Sequence, residues 1–300
     1  MVETGHTFAP AQVAHFGFQN PDRPDLGVEV LRLSQLLTRL RERTIATVHR
    51  TDFHQLFLIT EGTGAAMVDF DDHACAPGTL LNVAPSRVLR LPQPLAGQEL
   101  EAFVVLFTPD FPPRLDHARA LLGPFGPAER NVPLTEWPGL TAAMHELHTE
   151  YRRAVREDPE PASEELLRHL LGALLLRLAR LPGLPPEPGD GAYQRFQEEL
   201  ERSFASTRNA SDYATRIGYS LRSLNRACLA ATGQTAKALI DGRVALEAKR
   251  LLAHSDLPVA AVSRRLGFSE PTNFGKFFAR ETGVSPGAFR DREHRDQHLA

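Results

Sequence analysis

This chain lacks most of the devices by which proteins are stapled, exported or anchored. It has two cysteines in 300 residues, Cys75 and Cys228. No disulfide framework is therefore available, and two isolated thiols in a reducing cytosol are the expectation. No apolar run approaches the roughly 18 residues that read as a membrane span. The start, Met1-Val2-Glu3-Thr4-Gly5-His6, has no basic segment followed by an apolar one, so no secretory signal is expected. A cytoplasmic protein with no membrane partner follows from these absences. An excess of positive charge is also missing. The formal net charge is −3, which for the chain as a whole argues against binding a polyanion.

Dividing the chain changes that last conclusion. Three hundred residues suggest about two domains, on a prior of roughly 100–200 residues each. Residues 191–300 carry 17 Lys+Arg against 12 Asp+Glu, a balance of +5, and the remainder carries 17 against 25, a balance of −8. A basic reading domain joined to an acidic sensory one is the simplest organisation with that asymmetry. The break is visible in Pro182-Gly183-Leu184-Pro185-Pro186-Glu187-Pro188-Gly189, where proline removes amide donors and stops any helix. Residues 182–192 are accordingly expected to form a linker.

Ahead of that break, residues 1–112 read as an all-β domain. Leu56-Phe57-Leu58-Ile59, Ala65 to Phe70, Thr79 to Val83 and Phe103 to Phe107 are short apolar runs separated by glycine, proline and aspartate. That spacing predicts a small antiparallel barrel or sandwich. Residues 113–181 are expected to be a helical element with helices over about 136–155 and from Ser163, a suitable N-cap before Glu164 and Glu165. In the second helix Leu167, Leu171, Leu174 and Leu178, continued by Leu181, form a seam with steps of four and three, as in a coiled coil. Either a second copy of the chain covers this seam, giving a homodimer, or it packs on its own barrel.

The last third carries a repeat. Gly218-Tyr219-Ser220 is followed by Thr232-Gly233, and Gly267-Phe268-Ser269 by Thr282-Gly283. Each pair of marks brackets one short amphipathic helix, with another before it, so two helix-turn-helix units are predicted, over about 210–231 and 258–282. In the first, Leu221, Leu224 and Cys228 are expected to face the core, leaving Arg222, Asn225 and Arg226 outward. In the second, Phe274, Phe277 and Phe278 face inward, leaving Thr272, Asn273, Lys276 and Arg280 outward. Arg and Asn projecting from one helix are the side chains that contact guanine and adenine edges in the major groove. Ser220 and Ser269 are expected to cap these helices or meet the DNA backbone, and Arg280 to meet the backbone. Residues 236–253 predict one connecting helix, about 27 Å long at 1.5 Å per residue.

These features resemble the AraC/XylS family of bacterial transcription regulators. The similarity lies in Val244-Ala245-Leu246-Glu247-Ala248-Lys249-Arg250-Leu251-Leu252 and in Leu266-Gly267-Phe268-Ser269, Asn273-Phe274, Phe277-Phe278, Thr282-Gly283, Ser285-Pro286 and Phe289-Arg290. The resemblance implies a DNA-binding domain over 193–293, double-stranded operator DNA as partner, and RNA polymerase as a further one. Its base-reading positions fall on Arg222, Asn225, Arg226, Thr272, Asn273 and Lys276. Cys228 departs from the family, which carries a larger apolar residue there, so looser packing of the first unit is expected.

The front half resembles the cupin barrel, through the stretch His49 to Phe57, Glu61-Gly62-Thr63-Gly64, and Ala76-Pro77-Gly78-Thr79-Leu80-Leu81 before Pro85. A cupin enzyme needs a metal held by closely spaced histidines. His49 and His54 are five apart, an odd separation that points them to opposite faces of a strand, and no histidine follows Pro85 in Ser86-Arg87-Val88-Leu89-Arg90-Leu91. No metal, no cofactor and no catalytic residue are expected. The resemblance implies instead a pocket for a small-molecule effector, with Glu61 and Arg90 as candidate polar contacts. The reading is an effector-responsive transcription regulator with an N-terminal cupin-like barrel, two helices and a C-terminal all-α double helix-turn-helix. The alternatives are a metal-dependent cupin enzyme fused to a DNA-binding domain, and a constitutive regulator whose barrel is purely structural.

Overall fold

In the computed structural model, the described residues are 14–123, 126–156, 161–182 and 191–299. Two compact units divide them, one over 14–185 and one beginning at residue 186. Most of the expected linker, residues 183–190, lies outside the described residues.

Among the described residues the first unit contains ten strands: β1 Ala14–Phe16, β2 Val28–Arg32, β3 His49–Thr51, β4 His54–Gly62, β5 Gly64–Val68, β6 Asp71–Cys75, β7 Thr79–Val83, β8 Val88–Pro94, β9 Leu100–Phe107 and β10 Glu129–Asn131. They form two five-stranded sheets, ordered β1-β3-β8-β5-β6 and β10-β7-β4-β9-β2. All pairings are antiparallel except β1 with β3. The expected barrel thus takes the form of two sheets packed face to face. Phe57, Ile59, Leu81, Val83 and Val104 of one sheet meet Ala66, Val68, Leu89 and Leu91 of the other. The tight turn from β4 to β5 needs Gly62, whose φ is +77° and where a Cβ would collide with the Glu99 carbonyl.

Among the described residues five α-helices accompany the sheets: α1 Leu33–Arg39, α2 Glu42–Ala46, α3 Arg119–Leu122, α4 Trp137–Ala154 and α5 Pro161–Ala179. Because side chains alternate along a strand, β4 sends Leu56 and Leu58 away from the inter-sheet core. With Val105 and Phe107 of β9, these meet Leu140, Met144, Leu147 and Tyr151 of α4 and the leucines of α5. The second sheet is therefore covered on both faces, which explains the continuous burial along β4, β7 and β9 beside the alternating pattern of β5.

This layering bears on three expectations. Leu167, Leu171, Leu174 and Leu178 are fully buried inside their own unit. Of the two coverings open to the seam, its own barrel is the one found, because these side chains fill the outer face of the sheet. The segment 113–181 shares that core, so it is part of the first unit and not a unit of its own. Ser163 is not the N-cap of α5, which starts at Pro161. Arg130, itself buried, holds the far end of that helix: its guanidinium donates to the carbonyls of Leu178 (2.8 Å), Leu181 and Pro182 (3.1 Å). A cation at a helix C-terminus satisfies carbonyls that have no helical partner.

In the second unit the regular elements of the described residues are all helices: α6 Ala192–Ser203, α7 Ala210–Arg216, α8 Leu221–Thr232, α9 Ala236–His254, α10 Val259–Arg265, α11 Pro271–Thr282 and α12 Pro286–Leu299. No helix among the described residues is long and apolar enough to cross a membrane.

Candidate nucleic-acid interface

The two helix-turn-helix units, α7–α8 and α10–α11, superpose in sequence with an offset of 50 from helix start (Leu221, Pro271) to closing glycine (Gly233, Gly283). Both glycines are left-handed, with φ of +71° and +79°, and both donate their amide back to the helix. The second repeat is one residue longer between its glycines, and the extra residue lies in the turn. As a result Ser220 is the N-cap of α8 and accepts from the Ser223 amide (3.1 Å), whereas the N-cap of α11 is Glu270 with no side-chain bond. Ser269 stands one position too early to cap, which corrects the capping half of its expected role.

The cores of the two units differ in volume. Phe274, Phe277 and Phe278 are buried and form an edge-packed aromatic group with Phe268 and Phe289. Their counterparts in α8 are the smaller Leu224, Ala227 and Cys228. The missing volume is supplied by α6, which packs on α7 and α8 through Tyr193, Phe196 and Leu200. Cys228 is fully buried, and burial pushes its thiol up to about 12.

Several cations are consumed in fixing the helices of this unit to one another. Arg243 of α9 is buried and forks onto Glu201 (2.7 and 3.0 Å) while stacking on Phe204. Asp241 of α9 accepts from Lys237 and from Arg280 of α11 (3.0 Å). Arg280, expected on the DNA backbone, is thereby paired within the domain, with Glu281 as a second partner. Arg208, which sequence reasoning missed, clamps the heads directly. It donates to the carbonyls of Leu266 (3.0 Å) and Gly267 (3.2 Å) and lies 3.7 Å over the Phe268 ring. Gly267, left-handed at φ +73°, sits so close that a Cβ would collide with the Ala205 carbonyl; Gly218, its counterpart, has open space. Nothing local in the sequence distinguishes Arg208 from a surface arginine, because its partners lie nearly 60 residues away.

The outward faces hold a different set. Arg222 and Arg226 of α8 and Thr272, Asn273 and Lys276 of α11 are all exposed, and among the described residues none pairs with an acid. A shallow depression runs along α8, lined by Leu221, Arg222, Asn225, Arg226, Leu229 and Ala230. Two members of it depart from expectation. Leu221, placed in the core by its spacing, is 41% exposed, because it is the first residue of the helix and overshoots the packing surface. Asn225 accepts the Ala236 amide on its Oδ1 (3.1 Å), so one end of its amide satisfies the first turn of α9. The two-ended contact to adenine needs both ends free.

In the first unit the two candidate effector contacts face outward. Arg90 donates to Asp72 (3.1 Å) on the solvent side of its sheet, with Leu89 and Leu91 taking the inner face. Glu61 is exposed at the end of β4, past an irregularity in the ladder after Ile59. His49 and His54 are not brought together: they belong to different sheets, His49 edge-on to Phe16 and His54 stacked on Phe107 at 4.9 Å. Burial pushes His54 down to about 4 and His49 in the same direction. Among the described residues no group of three or more His, Cys, Asp or Glu is placed to hold a metal.

The comparisons with known proteins agree with this division. Residues 36–171 match the AraC-like ligand binding domain, and residues 213–292 match a helix-turn-helix domain model. The HTH-type transcriptional activator RhaS of Escherichia coli O1:K1 / APEC is 27% identical over 259 residues, covering 84% of this chain and 89% of RhaS. RhaS of Enterobacter sp. (strain 638) is 26% identical, covering 81% and 86%. Among solved structures, ToxT from Vibrio cholerae O395 is 10% identical over 88% of this chain and 96% of its own, with a TM-score of 0.43. With an AraC-like ligand-binding unit in front of a double helix-turn-helix, and regulators as its relatives over most of its length, the chain belongs to the AraC-type transcriptional regulators.

Proposed function

We propose that this regulator binds one face of duplex DNA with both heads, α8 and α11 entering successive major grooves. Arg222 and Arg226 supply guanine contacts from α8, and Thr272, Asn273 and Lys276 read from α11. The observation that carries this is the sorting of cations. Arg208, Arg243 and Arg280 are spent on internal acids, carbonyls and rings, while Arg222, Arg226 and Lys276 stand exposed on the corresponding faces of two copies of one motif. Ser220 serves the helix as its cap. The front unit binds a small effector that changes operator affinity, a reading supported by the matched ligand-binding domain. It contributes no catalysis. The protein acts as a homodimer whose contact lies outside the buried leucine seam, and it engages RNA polymerase at the promoter.

Site selection from random duplexes with the full chain tests the readout. Arg222→Ala and Lys276→Ala should each relax one base-pair position by about 1–3 kcal/mol of discrimination. The two positions should lie about 10 base pairs apart. Uniform weakening at all positions in both variants would assign these side chains to phosphates and refute the reading.

A further inference from the structure

We propose that Leu221 reads the 5-methyl group of a thymine in the half-site bound by α8. The inference rests on the docking of α8 in the major groove proposed above. Leu221 occupies the first turn of α8, and in helix-turn-helix complexes the residues at that end contact base edges. It contributes little to its own core: Leu224, Ala227 and Cys228 make the buried face, and Leu221 remains 41% exposed. Its neighbour Arg222 points a free guanidinium from the same end of the helix. A leucine at such a place cannot pair with a phosphate or with a polar base edge. The one apolar group that the major groove offers is the thymine methyl.

Asn225 strengthens the assignment, because its carbonyl end is committed to the Ala236 amide. The exposed stripe of α8 then holds two guanidinium groups and two leucines, Leu221 and Leu229, with no free two-ended amide. Its readable features are guanine edges and thymine methyls. Consecutive residues project about 100° apart around a helix of 3.6 residues per turn, so Leu221 and Arg222 reach neighbouring base pairs. The α11 counterpart of Leu221 is Pro271, and that of Arg222 is Thr272, so the two half-sites are read by different chemistry.

The test uses the full chain and the duplex it selects from random sequence. Each thymine is replaced in turn by deoxyuridine, which removes the methyl and leaves every hydrogen-bonding group in place. Wild type should lose about fourfold in affinity at one thymine, the worth of one buried methyl-sized group. That thymine should lie within one or two base pairs of the position relaxed by Arg222→Ala. Leu221→Ala should bind the thymine and deoxyuridine duplexes equally, and Leu229→Ala should keep the difference. Wild type indifferent to every replacement, a difference that survives in Leu221→Ala, or one abolished only in Leu229→Ala would each overturn the proposal. Arg222→Ala separates the two levels. If it relaxes one position while no methyl matters, only the role of Leu221 fails; if it relaxes none, the docking of α8 fails with it.

Discussion

Asn225 offers the sharpest separation between reading DNA and building the reader. Its Oδ1 accepts the amide of Ala236, the first residue of α9, while Thr235 Oγ1 accepts that of Ala238 (3.2 Å). Both amides belong to the first helical turn, where no backbone carbonyl is available to them. Losing one such side-chain acceptor costs about 1 kcal/mol, a factor of about five in an opening equilibrium. Asn225→Ala should therefore speed hydrogen exchange at the amides of the first turn of α9 about fivefold in the full chain. Asn225→Asp keeps the acceptor and places an anion at the positive end of the helix, worth roughly 0.3–1 kcal/mol in the stabilising direction. It should protect those amides at least as well as wild type, although its charge weakens DNA binding uniformly. Neither variant should change the preferred base at any position of the selected site. If Asn225→Ala leaves exchange untouched and relaxes one A·T position instead, the residue reads adenine and the structural account of it is wrong.

Three further outcomes follow from the packing and the buried charges. Leu171→Ala should destabilise the front unit by about 2–5 kcal/mol without releasing a folded monomer, seen as a lower urea midpoint in sedimentation and circular dichroism together; a stable monomer would return the seam to an interface. Gly218→Ala should cost about 1–2 kcal/mol for left-handed backbone alone, and Gly267→Ala clearly more, because its methyl meets the Ala205 carbonyl; equal thermal shifts would contradict the clamp between the heads. His54 is held neutral down to about pH 4, whereas the unfolded chain protonates it near 6.5, so the unfolded state binds more protons between those values. Its contribution is full above about pH 6.5 and falls by about 3 kcal/mol as the pH drops to 4; His54→Phe, which keeps a ring on Phe107, should flatten that slope, and an unchanged slope would place the acid sensitivity elsewhere.

The sequence by itself determined the helical repeat and its faces. Gly218 and Gly267 end the supporting helices, Gly233 and Gly283 end the exposed ones, and the 3.6-residue period separates Arg222 and Arg226 from Leu224 and Cys228 without any tertiary information. It also held a signal about burial: the unbroken run Leu56 to Ile59 marks a strand covered on both faces, unlike the alternating β5. What covers that second face was decided only by the tertiary structure. A leucine seam of period 3.5 is equally suited to another helix or to a flat sheet, and Leu171 and Leu174 pack on the outer face of the sheet because their own chain delivers it. The same holds for polar side chains. Spacing says which face Asn225, Arg280 and Arg90 occupy, but not that the Ala236 amide, Asp241 and Asp72 lie within reach. Such partners arrive from 11, 39 and 18 residues away. Local periodicity extends over a few turns of one element, whereas hydrogen bonds between elements depend on how those elements pack. The exposed faces of the two units were therefore legible in advance, while which of their side chains the fold itself consumes required the folded chain.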